Sequence, residues 1–230
     1  MERIQAKHPR AVRWFHWINF PLLALMIWSG LMIYWANGVY RIGIGSFTLF
    51  HFFPDWFYSA FNLKFRLAEA MAWHFCIMWL FALNGAAYVL YTIISGEWRY
   101  LVPNRQSFRE AIQVTLHDLH LSKTAPPPRK FNGAQQIAYT AIVLMGAGSL
   151  VTGLAIWRSV SVGWLTALLG GYEMARLEHF LLTLGYVAFF TVHIAQVTRA
   201  GWNNLRSMIS GYELVTVEEP PAPVEEEVQA

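Results

Sequence analysis

His16, His74, His179 and His193 each lie inside or at the edge of a long apolar stretch that holds no Asp, Glu, Lys or Arg. A polar, ionisable side chain is costly to bury in such a setting, so each of the four is a functional candidate. His179 and His193 stand fourteen residues apart on one run. On a helix advancing ~1.5 Å and ~100° per residue, they return to nearly one face about 21 Å apart. A helix with two ligands at that spacing can serve two stacked metal centres, one toward each side of a membrane. The chemistry this suits is electron transfer through two b-type haems, each held by a pair of imidazoles.

The elements that must position these histidines follow from charge. Hydrophobic residues make up 56% of the 230-residue chain and charged residues 13%, against about 25% charged in soluble domains. The segments Trp14–Tyr40, Ala70–Gly96, Phe131–Trp157 and His179–Thr198 contain no Asp, Glu, Lys or Arg, and a spanning helix needs ~20 mostly apolar residues. These runs predict an all-α membrane protein, a four-helix bundle with helices over about 12–35, 67–94, 134–157 and 172–200. The first run has the basic start of a signal peptide, but it is too long and lacks a small-residue cleavage site, so it reads as a retained helix.

Twelve basic residues precede helix one, fill the connection between helices two and three, or follow helix four; five lie on the other side. That imbalance places both termini in the cytoplasm. It also accounts for the pI of about 9.1 without any nucleic acid. Cys76 is the single cysteine, so a disulfide and a Cys-x-x-Cys-His haem attachment are both excluded, and any haem is held non-covalently.

With this topology the histidines sort into two layers. Helix one rises from inside to outside, which puts His16 near the inner face. Helices two and four return, putting His74 and His179 near the outer face and His193 near the inner. The expected ligand pairs are therefore His74/His179 outside and His16/His193 inside, each drawn from two helices as haem ligation in a bundle requires. Gly30, fourteen residues after His16, falls at the outer level. Gly85, Gly146, Gly148, Gly153 and Gly185 are further places where a porphyrin could approach backbone, or where helices could pack closely through small residues.

The connections carry their own signals. Residues 36–66 are rich in Phe, Trp and Tyr and broken by Gly43, Gly45 and Pro54. They suit the membrane interface, either as a lipid anchor or as a docking surface for an extracytoplasmic partner. The inner connection contains an amphipathic pattern of Phe108, Ala111, Ile112, Thr115, Leu116 and Leu119, ended by Ala125-Pro126-Pro127-Pro128. His117 and His120 flank Asp118 there, where a solvated face is the simpler reading than a metal site. The domain expected is 1–215, with 216–230 an acidic, Pro-rich tail of the disordered kind. No hydrolase or phosphate-binding motif occurs.

The stretches His8-Pro9-Arg10-Ala11-Val12-Arg13-Trp14-Phe15-His16-Trp17, Trp73-His74-Phe75 and Lys130-Phe131-Asn132-Gly133-Ala134-Gln135-Gln136, with the His179/His193 pair, resemble the bacterial and nickel–iron-hydrogenase type of the cytochrome b561 superfamily. The resemblance covers about Lys7 to Tyr212. It is nearest to the cytochrome b subunits of formate dehydrogenase, thiosulfate reductase and hydrogenase complexes. It implies two non-covalent b haems, a location in the bacterial cytoplasmic (inner) membrane, and a quinone site near the inner haem. Carried over, that site would be lined by Asn132, Gly133 and Gln135, although the polar pair could equally cap helix three. Arg13 and Arg158 suit haem propionates by charge and depth.

The expected function is a membrane anchor carrying electrons between a periplasmic molybdopterin-containing or hydrogenase subunit and the quinone pool. Two alternatives stand beside it. One is a free-standing cytochrome b561 that oxidises a small diffusible donor. The other is a metal-ion transporter, a role that usually needs intramembrane carboxylates; here Glu69, Glu97 and Glu178 only border the runs.

Overall fold

The computed structural model describes residues 2–36, 40–44, 47–123 and 130–216. The expected break at Pro126–Pro128 and the acidic tail from 217 onward lie outside the described residues. In chain order the elements are β1 (Glu2–Ala6), α1 (Arg10–Trp35), β2 (Arg41–Ile44), β3 (Phe47–His51), α2 (Asp55–Ala60) and α3 (Leu67–Ser95). They continue with α4 (Trp98–Leu101), α5 (Arg105–Asp118), α6 (Gly133–Trp157), α7 (Gly163–Leu168), α8 (Tyr172–Ser210) and β4 (Tyr212–Thr216).

The four helices α1, α3, α6 and α8 are long and apolar enough to cross a membrane, as the charge-free runs predict. Three of them match the expected limits to within two residues. The fourth was expected to stop at Ala200. Gly201 does break it, with φ 78° and ψ 179°, and helical structure then resumes to Ser210. That left-handed φ is one that a residue with a Cβ adopts only under strain.

The chain forms two compact units, with Phe15–Thr191 the larger. Its core is small and local. Met32, Tyr58, Leu63 and Ala70 form one buried cluster, with Trp28, Trp35 and Phe57 among the side chains packed on it. Ala155, Leu165 and Ala175 form a second, where α7 folds back so that the Thr166 hydroxyl donates to the Ala155 carbonyl at 3.0 Å. Most of the apolar surface faces outward instead: Trp79, Leu83, Leu90 and Ile94 of α3 are all exposed. An apolar surface of that extent is a liability in water and suits lipid.

The connection 36–66 is more ordered than its composition suggests. β2 and β3 pair antiparallel, with an irregularity between Ile42 and Gly43, and α2 follows after Pro54. The amphipathic pattern of the next connection is α5, capped by Asn104, whose side chain accepts from the Gln106 and Ser107 amides. Ser107, Glu110 and Val114 are buried, while Phe108, Ile112, Leu116 and Leu119 are exposed. The helix therefore packs on α6 through its small and polar face and presents its apolar one outward, as a surface-lying helix would. Gln136 ties the two together, its Oε1 accepting from the Ser107 hydroxyl at 2.6 Å and its Nε2 donating to the Tyr100 carbonyl at 3.0 Å.

The smaller unit consists of the described residues up to Trp14 and from Val192 on. β1 pairs antiparallel with β4, Gln5 opposite Glu213. Lys7 Nζ lies 2.6 Å from the Glu213 carboxylate and 3.1 Å from Asn204 Oδ1. Asn203 brackets Leu214 with two hydrogen bonds, at 2.9 and 3.0 Å. Arg13 donates to the Ile209 carbonyl at 2.5 Å and lies against Gly211, so it holds this unit's helical and strand segments together.

A Cβ on Gly133 would run into the Ser107 carbonyl and lie 2.7 Å from Glu110 Cβ. Gly133→Ala should therefore destabilise the α5–α6 contact by roughly 1–3 kcal/mol, the range for overpacking. Hydrogen exchange in α5 should rise with it. Gly85→Ala, with nothing within 4 Å of the added carbon, should show neither effect.

Candidate functional site

Two of the four histidines meet inside the larger unit. α3 carries His74 and α8 carries His179, and their ring centroids lie 6.4 Å apart with planes at 70°. A metal ion bound between two imidazole nitrogens at ~2 Å each, with roughly 1.2 Å more from nitrogen to ring centre, puts the centres about 6 Å apart. The spacing is right for bis-imidazole ligation.

Each ring is oriented by a hydroxyl from another helix. Ser29 Oγ of α1 lies 2.9 Å from His74 Nδ1 and donates its own proton to the Leu25 carbonyl at 2.7 Å. Thr152 Oγ1 of α6 lies 2.8 Å from His179 Nδ1 and donates to the Gly148 carbonyl at 2.7 Å. A hydroxyl whose proton is committed to a carbonyl can only accept from a third group. Each Nδ1 therefore carries the ring proton, and each Nε2 keeps the lone pair a metal needs. Partners of this kind fix the tautomer and orientation of a metal-binding histidine. Both hydroxyl residues are buried.

The residue after each hydroxyl is a glycine that lets the ring lie against helix backbone. A Cβ on Gly30 would be 3.6 Å from His74 Cε1, and one on Gly153 would be 3.4 Å from His179 Cε1. Gly30 and Gly153 both line the cavity, at the level the fourteen-residue offset predicts for Gly30. Ser29 and Thr152 were not foreseen. Their signal is a repeated dipeptide, a small hydroxyl followed by glycine, placed late in α1 and again late in α6.

The cavity has a volume of ≈ 580 Å³ and a mostly aliphatic and aromatic wall, within the ~300–1,000 Å³ of small-molecule and cofactor sites. Stacked rings form part of its wall. Tyr34 lies on Phe180 at 4.7 Å with planes 12° apart, and Tyr40 and Phe52 approach Phe180 at 4.9 and 5.4 Å. The base of the β2–β3 hairpin thus forms part of the cavity wall, a role its aromatic composition alone did not disclose. Burial pushes the Tyr40 hydroxyl above its ordinary range, against an opposing pull from Arg176, so it stays a protonated donor. Arg176 also lines the cavity. Arg158, one of the two arginines expected beside a propionate, stacks on Trp157 with its guanidinium carbon 4.4 Å from the ring centroid.

The other candidates are placed as follows. His16 is partly buried, its ring edge-on to Trp17 at 5.1 Å, and belongs to the larger unit. His193, also partly buried, belongs to the smaller. Asn132 and Gln135 form a capping box at the start of α6: Asn132 Oδ1 accepts from the Gln135 amide at 2.9 Å and Gln135 Oε1 from the Asn132 amide at 3.0 Å. This is the capping role that the sequence allows, and it uses both carbonyl oxygens while leaving the two NH2 groups as donors. Gly133 sits beneath them against α5. His117 lies 3.9 Å from Asp118. Among the described residues no group of three or more His, Cys, Asp and Glu side chains could hold a metal ion.

Comparison with known proteins gives the family. Residues 7–211 match the family described as prokaryotic cytochrome b561. A chain of Azospira oryzae, named as a putative protein-methionine-sulfoxide reductase subunit, YedZ1, is 32% identical over 212 residues, covering 92% of this chain and 99% of that one. Cytochrome b561 membership implies haem b, and the His74/His179 cavity fits it: two imidazoles with ring centres at the right spacing, glycines beside both rings and a largely apolar wall. With four candidate spans, this multi-pass membrane protein belongs to the prokaryotic cytochrome b561 family.

Proposed function

We propose that the chain is the di-haem, electron-carrying membrane subunit of a bacterial reductase, passing electrons from the quinone pool to a partner on the outer face of the cytoplasmic membrane. The observation that carries this reading is the facing pair His74 and His179, each with its Nδ1 proton held by a hydroxyl. The second pair, His16 and His193, is proposed from the fourteen-residue repeat on the fourth helix and from topology. Both termini are assigned to the cytoplasm by the distribution of basic residues.

Haem b supplies a one-electron ferric/ferrous couple when bound. The chain's own work is to present Nε2 of His74 and of His179, to keep those rings from rotating, and to exclude water with an apolar wall. Rigid ligands and a dry cavity keep the reorganisation that accompanies electron transfer small. At the other end, the NH2 groups of Asn132 and Gln135 are proposed to donate to a quinone carbonyl. A quinol gives up two electrons and two protons, which is what reduction of a sulfoxide to a thioether and water consumes.

That stoichiometry bears on the partner. The Azospira oryzae relative is named as a reductase subunit for methionine sulfoxide in protein. A catalytic reductase subunit docking outside therefore fits this chain better than a hydrogenase, and it sets the electron flow outward. The exposed apolar strand Phe47–His51 also favours an anchored subunit over a free-standing cytochrome.

The deciding measurement is a dithionite-reduced minus oxidised spectrum of the purified protein, with haem counted as the pyridine haemochrome. Two b haems per chain are expected, and none, in protein made with ample haem, would sink the reading. His74→Ala and His179→Ala should each remove one haem and leave the other, as should His16→Ala and His193→Ala. Ser29→Ala and Thr152→Val should weaken retention of the outer haem roughly 10–100-fold, the usual effect of losing a ligand's hydrogen-bond partner, and raise its midpoint potential. Gln135→Ala should slow reduction by quinol without changing haem content.

A further inference from the structure

We propose that Arg176 and Tyr40 form a carboxylate-binding end of the His74/His179 cavity and take the propionates of the porphyrin held there. The inference rests on the haem reading above and adds to it the orientation of the group and the residues that set it.

A porphyrin with propionates on one edge needs an apolar slot that turns polar at one end. Histidines aside, Arg176 is the one formally charged side chain among the described residues lining this cavity. It stands one helical turn before His179 on α8, so both side chains share a face. Only 19% of the Arg176 side chain is exposed, and its ion-pair partner Glu173 is 77% exposed. Both contacts to Glu173 run through Nη1, at 3.0 and 3.3 Å. A guanidinium has five N–H donors in a fixed fork, so Nη2 and Nε are left for a second carboxylate, the geometry in which arginine is strongest.

Tyr40 supplies the independent observation. Its hydroxyl is buried and has no hydrogen-bond partner among the described residues, although Tyr40 lines the cavity. Leaving a buried hydroxyl unpaired is unfavourable, and native structures rarely tolerate it without a ligand or a role. A carboxylate in the cavity would pair it. Tyr40 is held in place by its own backbone, whose amide donates to the Tyr34 hydroxyl at 2.5 Å, and by the rings of Tyr34 and Phe180. A cation and a neutral donor, close enough for the cation to act on the hydroxyl, therefore both face a largely apolar cavity.

The consequence is electrostatic. Arg176 offsets propionate charge close to the iron, which favours the ferrous state. Arg176→Gln should lower the midpoint potential of one haem by about 59 mV, equivalent to a tenfold fall in the ferrous/ferric ratio at fixed ambient potential. The test is a redox titration of the full-length holoprotein in detergent, with resonance Raman spectra of the propionate bending modes. The variants are Arg176→Gln, Arg176→Lys, Tyr40→Phe and, as a control, Arg158→Gln.

A fall in one midpoint and a moved propionate band in Arg176→Gln, with Arg176→Lys near wild type, would establish the subsite. Tyr40→Phe should move the band without loss of haem. Loss of that haem from Arg176→Gln but not from Arg176→Lys supports the same conclusion. Unchanged potential and band in Arg176→Gln would overturn it, as would an equal shift in Arg158→Gln or loss of the haem from both Arg176 variants. Haem-free wild-type protein would sink the underlying reading, not this subsite in particular.

Discussion

Two hydroxyl groups, each committing its proton to a carbonyl of its own helix, decide the state of the imidazoles that face the cavity. With their protons so committed, the Ser29 and Thr152 hydroxyls act as acceptors toward Nδ1 of His74 and of His179. The rest of the site is arranged around that constraint. The glycine after each hydroxyl allows the ring to approach closely enough for the bond. α1 and α6 provide the orienting groups and α3 and α8 the ligands. All four long helices would therefore be needed to define the metal site proposed here, a stricter requirement than two ligands on two helices would impose.

The surroundings show what lipid changes about stability. In water, a domain of this size would be expected to bury a contiguous apolar core. Here the buried clusters are small, around Met32 and Tyr58 and around Ala155 and Ala175, and large apolar side chains cover the outside. Between helices in a membrane the hydrophobic effect offers little, because lipid is as apolar as leucine. Close packing and hydrogen bonds take its place. The Ser29–His74 contact between α1 and α3 and the Thr152–His179 contact between α6 and α8 are of this kind.

Sequence reasoning reached the helices because charge avoidance is a one-dimensional property: a water-soluble chain can hardly accommodate four such long runs without Asp, Glu, Lys or Arg. It reached the His74/His179 pair because helix period and alternating direction are enough to sort ligands into layers. It did not reach Ser29 and Thr152, since a serine or threonine in an apolar helix ordinarily bonds its own backbone; only the neighbouring helix reveals the second bond. Arg176 is one of the five basic residues on the outer side, and only the turn of α8 brings it to the cavity. The β2–β3 hairpin was hidden by aromatic residues that suit an interface equally well without pairing. Asn132 and Gln135 suited two roles from the start, and the capping geometry is the one now visible.

β1 and β4 have a bearing on how the molecule is made. Glu2–Ala6 is synthesised ahead of all four long helices, yet its partner Tyr212–Thr216 lies beyond the last of them. Until the fourth long helix has been made β1 has an open edge, the kind of unpaired strand that invites wrong partners. It is closed only when the final span has been threaded and the helix has broken at Gly201. The Lys7–Glu213 ion pair and the ladder beside it are thus a late step of biogenesis, and a truncated or stalled chain would display its first strand unpaired to the quality-control machinery of the cell.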